Sequence, residues 1–130
     1  MMNKSVKLGI QGRPDVPPRL FDLVPRYIEK YGYKDCLFAG KVNKQWVKYD
    51  GKKFYEITNS ISYGLLKLGV KKGDRIALIA NNAPEWNMID FAIQQVGAIC
   101  IPIYPTISHD DYKYIFNHSE ASLIFVINKH

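Results

Sequence analysis

The stretch Arg75-Ile76-Ala77-Leu78-Ile79-Ala80 decides how the rest of the sequence is read. It is a short, nearly continuous apolar run without alternation, which is the pattern of a parallel strand covered on both faces. Downstream, Ala98 to Ile103 and Leu123-Ile124-Phe125-Val126-Ile127 repeat that character, so strands begin near 75, 99 and 123. A helix fits each gap. Asn82 and Pro84 open the first, which carries Met88, Ile89, Ala92, Ile93 and Val96 and stops at Gly97. Ser108 caps the second, Asp110 and Asp111 occupy its first turn at the positive end of the dipole, and Tyr112, Ile115 and Phe116 form its inner stripe. The result is a βαβαβ unit with a parallel sheet and right-handed crossovers, an α/β layered fold.

Upstream of this unit the periodicity changes. Phe54, Ile57, Ile61, Leu65 and Leu68 recur three or four apart, giving a long helix with Asp50 as its cap and Gly69 at its end. Cys36-Leu37-Phe38-Ala39 and Gln45-Trp46-Val47-Lys48-Tyr49 read as two short strands joined by Gly40 to Lys44, a small hairpin. Before them, Leu20, Val24, Tyr27, Ile28 and Tyr31 follow helical spacing, with Pro18 tolerated at its start and Pro25 expected to interrupt or kink it. Residues 1–18, with Gly9, Gly12, Pro14, Pro17 and Pro18, form an irregular arm; residues 19–130 form one partial domain. Only three residues follow the last strand and no helix covers it, so the domain is expected to continue beyond residue 130.

Composition narrows the function classes. With 47% hydrophobic and 23% charged residues the chain is an ordinary globular one, and no apolar run approaches the ~20 residues of a membrane span. The N-terminus lacks the apolar core of a signal peptide, so a cytoplasmic location is expected. The 18 basic against 12 acidic residues give +6, but the lysines are scattered in pairs (Lys52 and Lys53, Lys71 and Lys72), which favours a solvated face over nucleic acid. Cys36 and Cys100 show no CxxC spacing and are expected to be buried free thiols.

Catalytic motifs are sparse. Gly64 and Gly69 have the spacing of a phosphate loop but fall within and at the end of an amphipathic helix, and no GxGxxG follows a strand. His109 and His118 are nine apart, and at about 100° per residue they face opposite sides of a helix, so they cannot share a metal. No serine sits in a GxSxG elbow. Trp86 reads as a core aromatic at the strand-to-helix junction, with ligand stacking as the alternative. Tyr104-Pro105-Thr106 lies just past the carboxyl end of the second strand, where ligands bind in open α/β sheets, although a rigid proline turn accounts for it equally well.

The runs Leu68-Gly69-Val70-Lys71-Lys72-Gly73-Asp74-Arg75-Ile76-Ala77, Asn82-Ala83-Pro84-Glu85-Trp86 and Gly97-Ala98-Ile99-Cys100-Ile101-Pro102-Ile103-Tyr104-Pro105-Thr106, together with Trp46-Val47-Lys48-Tyr49, resemble the adenylate-forming (AMP-binding) acyl-CoA synthetases in order. The Pro-Ile-Tyr-Pro-Thr form is closest to the long-chain fatty acid branch. The resemblance covers about residues 19–128 and implies an incomplete part of that fold's large N-terminal domain. It also implies a ligase using ATP, Mg²⁺ and CoA, whose phosphate-binding loop and catalytic residues lie beyond His130. The partners implied are the remainder of the same polypeptide and a fatty acid. The residues carried over are Tyr104, Pro105 and Thr106, as a loop touching CoA. By itself the chain is expected to be inactive. Two rival readings stand beside this one: a freestanding flavodoxin-like binding module, and an interaction protein that homodimerises through the arm and an open sheet edge.

Overall fold

The computed structural model describes residues 19–127. The expected N-terminal arm and His130 lie outside the described residues. A 3₁₀ turn, Leu20–Asp22, leads into α1 (Leu23–Tyr31), followed by β1 (Phe38–Val42), β2 (Gln45–Tyr49) and α2 (Gly51–Lys67). The βαβαβ unit comes next: β3 (Arg75–Ile79), α3 (Pro84–Gln95), β4 (Ile99–Ile103), α4 (His109–Ser119) and β5 (Leu123–Val126). Its three strands form a parallel sheet in the order β4-β3-β5, with Ile76 opposite both Cys100 and Leu123.

The centre of that sheet is β3, the apolar run that begins at Arg75. Ile76, Leu78 and Ala80 face one way and pack with Leu65 of α2 and Ile89, Ala92 and Ile93 of α3. Ala77 and Ile79 face the other way, with Ile103, against Tyr112, Ile115 and Phe116 of α4. The chain moves from β3 to β4 on one side and from β4 across to β5 on the other. Helices on opposite faces therefore mean that both crossovers have the same hand, as the right-handed rule requires.

The caps explain where the helices stop. Asp50 accepts a hydrogen bond from the Lys53 amide at 2.7 Å, and Ser108 and Asp111 form a reciprocal capping box at the start of α4. Gly69 and Gly97, with φ of 85° and 77°, take the left-handed positions after α2 and α3 that a side chain would strain.

Four local expectations are corrected. Pro25 does not kink α1: it is the third residue of that helix, within the first turn, where no intrahelical partner exists for the N–H it lacks. The discontinuity lies earlier, at the 3₁₀ turn. The hairpin is tighter than Gly40 to Lys44 suggested, because β1 runs on to Val42 and the turn is Asn43-Lys44, both left-handed at φ 49° and 65°. That geometry matches the twist of the flanking strands. Cys36 is exposed and precedes β1, while Cys100 in β4 is half-buried. Finally, Ala83 rather than Asn82 is the residue before α3, and the helix begins without a side-chain cap, on Pro84 at its first position.

Candidate functional site

A cleft of about 670 Å³ opens at the carboxyl end of the parallel sheet. Its floor is Ala80, just past β3, and Ile103, at the end of β4. The first turn of α3 supplies Pro84, Trp86 and Asn87, and the loop before it supplies Asn82. Tyr104 stands at the rim, and Phe38 and Ala39 of β1 close the far side. The position follows from the fold, since parallel strands leave a crevice where their connections splay apart.

Tyr104 is 76% exposed, and its backbone carbonyl accepts a hydrogen bond from Tyr112 Oη at 3.2 Å, which ties the loop after β4 to α4. Pro105 is half-buried and Thr106 exposed, and neither lines the cleft. The structure therefore separates the three candidates: Tyr104 fronts the cleft, and the other two shape the turn. Trp86 meets both readings of it, being packed against the core cluster while also lining the cleft. Asn87 Nδ2 donates to the Ala83 carbonyl at 3.4 Å, which leaves its side-chain oxygen available. Sequence reasoning missed Asn82, Asn87, Phe38 and Ala39. The two asparagines flank Pro84 at a strand-to-helix junction, a signal that could have been used; Phe38 and Ala39 gave none.

Beside the cleft, Tyr49 Oη donates to Glu85 Oε1 at 3.3 Å, while Glu85 Oε2 is buried with no hydrogen-bond partner. Burial, and then the neighbouring carboxylate, raise the Tyr49 phenol above its usual value, so it remains a donor. On the core side, burial followed by the adjacent Asp90 carboxylate pushes the Cys100 thiol up to about 12. That thiol is an inert packing group rather than a nucleophile.

None of the residues lining the cleft is charged. Such a surface suits an uncharged ring or aliphatic group and does not fit a triphosphate with Mg²⁺, which needs cations and carboxylates. Among the described residues no three His, Cys, Asp or Glu side chains gather to hold a metal, and no helix is long and apolar enough to cross a membrane.

Residues 25–130 match the AMP-binding enzyme family. The chain belongs to that family. Among relatives of this chain, the long-chain-fatty-acid–CoA ligase FadD15 of Mycobacterium bovis is 42% identical over 62 residues, covering 48% of this chain and 10% of that protein. Fatty acyl-CoA synthetase A of Dictyostelium discoideum is 32% identical over 99 residues, covering 75% of this chain and 14% of the other. In three dimensions, the fatty acid AMP ligase from Legionella pneumophila superposes with a TM-score of 0.71 at 20% identity, over 85% of this chain and 20% of that one. The anthranilate CoA ligase AuaEII, solved with anthranoyl-AMP, gives 0.70 at 24% identity, over 86% and 21%. These superpositions establish the fold. The chain spans only 10% and 14% of the length of the two sequence relatives.

Proposed function

We propose that this chain is the N-terminal part of a long-chain fatty acid–CoA ligase, in which the whole polypeptide joins a fatty acid to CoA through an acyl-adenylate, with ATP and Mg²⁺ as co-reactants. The observation that carries this reading is the family match over residues 25–130 in a chain whose sequence relatives bear fatty acyl ligase names. The ordered motifs from Leu68 to Thr106 agree with it. In this reading the remainder of the polypeptide is the partner of the described domain. Support comes from β5, where Ile124 and Val126 are 45% and 63% exposed, an apolar strand face awaiting cover.

The phosphate chemistry belongs to the rest of the protein, because the uncharged cleft offers nothing to hold it. What this chain contributes is scaffold and one wall of the CoA approach: Tyr104 stacks edge-on against the CoA adenine, and Pro105 and Thr106 hold its loop. Full-length protein should release pyrophosphate from ATP and palmitate, whereas residues 1–130 alone should give no more than blank. Absence of acyl-CoA formation by the full-length protein would overturn the assignment. For the loop, Tyr104→Ala should raise the KM for CoA about three- to tenfold, the loss of one aromatic contact; an unchanged KM sinks the CoA role.

A further inference from the structure

The β1–β2 hairpin joins the cleft from far away in sequence, and two contacts fix where it sits. The first is steric. A Cβ on Gly40 would lie 2.8 Å from Pro84 Cδ and 3.1 Å from Pro84 Cγ, so the strand backbone rests directly on the proline ring that begins α3. Carbon atoms do not approach that closely without something moving, and both neighbours are backbone-anchored rather than the ends of flexible chains. The second contact is polar: the Tyr49 hydroxyl, at the other end of the hairpin's second strand, donates to Glu85, the residue after Pro84. Register places Phe38 opposite Tyr49 and Gly40 opposite Val47, so both contacts lie on one face of the hairpin. The same face is anchored below by Phe38, stacked on Phe54 with ring centroids 4.5 Å apart.

Phe38 and Ala39 adjoin Gly40 and are the hairpin's contribution to the cleft lining. Their distance from Trp86 and Tyr104 across the cleft is set by how closely the backbone at Gly40 meets Pro84. We infer that the hairpin is a fixed wall that sets the width of the cleft, and that Gly40 and Tyr49 are positioning residues for the ligand that enters it. They touch no reacting atom. Their effect is on ligand affinity, with the chemical step unchanged.

This inference rests on the reading of the cleft as a CoA approach, and the two can fail separately. In the full-length protein, Gly40→Ala should raise the KM for CoA about three- to tenfold with kcat unchanged, the equivalent of losing one well-packed contact. Removing the obstacle should reverse this: Gly40→Ala combined with Pro84→Ala should return the KM to within about twofold of Pro84→Ala alone, because alanine at the first helical position leaves room for the new Cβ. Tyr49→Phe keeps the ring and deletes the donor, and it should raise the KM in the same direction by less. If Gly40→Ala lowers the yield of folded protein, Tyr49→Phe carries the test. An unchanged CoA KM in both variants, while Tyr104→Ala raises it, overturns the wall and leaves the CoA reading standing. A Gly40→Ala defect that Pro84→Ala does not suppress also overturns the wall. If the suppressible defect appears in the KM for palmitate, with Tyr104→Ala silent toward CoA, the wall stands and the CoA assignment falls.

Discussion

The two faces of the central strand β3 are equally apolar and both buried, yet the helices that cover them are buried to very different depths. Toward α3, Ile76 and Leu78 are wholly buried, as are Ala92 and Ile93, because α3 is itself sandwiched between the sheet and α2. Toward α4, the strand residues Ala77 and Ile79 are buried, but α4 contributes no buried residue, and Ile124 and Val126 of β5 stay exposed on the described domain. The difference shows that a helix needs a second layer behind it before its own residues become core. A polar clasp reinforces the deeper side: the Ser62 hydroxyl of α2 donates to Gln95 Oε1 of α3 at 2.5 Å, and Gln95 Nε2 donates to Asn59 Oδ1 at 3.3 Å.

The comparison makes graded demands on stability. The largest effect is expected on the deep face, where Ile93→Ala leaves a cavity that the two layers cannot close and should cost about 2–5 kcal/mol in urea unfolding. On the shallow face Phe116→Ala removes a larger side chain but should cost less, roughly 1–2 kcal/mol, because solvent already reaches that ring. Equal or inverted costs would mean that the faces are energetically alike. Smaller again is Ser108→Ala, which deletes one arm of the α4 capping box and should cost about 1 kcal/mol; with so little burial behind it, α4 depends on that cap to hold its first turn. Hydrogen exchange confined to residues 109–119 would register the loss.

A pH measurement separates the faces in another way. Cys100 packs on the deep side, and its folded-state value of about 12 lies above the ordinary 9.0. Below about pH 9 both folded and unfolded chains keep the proton. As pH rises from there the unfolded chain loses it first, so stability declines between about 9 and 12, and Cys100→Ala should remove that part of the decline. Alkylation gives a matching contrast: exposed Cys36 should react with iodoacetamide well before Cys100, and equal rates would contradict the burial described.

The site was only half legible in the sequence. Tyr104 could be singled out because it lies just past a strand's carboxyl end, where the fold class alone predicts a crevice, whereas Trp86 read first as a core aromatic and only second as a ligand contact. Their partners across the cleft could not. Tyr49 and Glu85 are 36 residues apart, and nothing in the spacing of either announces the other. Gly40 read as hairpin chemistry, whereas its structural role is to let Pro84 approach. The expectation of buried Cys36 failed for a similar reason, since an apolar neighbourhood of four residues does not say whether another element arrives to cover it.

What the sequence determined by itself was the identity and order of the elements from α2 to β5, the caps of α2 and α4, and the parallel character of the sheet. Each of these is set by interactions within a few residues: the period of a helix face, an Asp or Ser reaching an amide three residues on, a glycine taking a left-handed turn. Tertiary structure alone decided the strand order β4-β3-β5, which helix became core, and the placing of the hairpin on the start of α3. A pattern of apolar residues specifies that a face must be buried, but the hydrophobic effect is non-directional and does not name the partner. Shape settles that choice, here a glycine backbone against a proline ring.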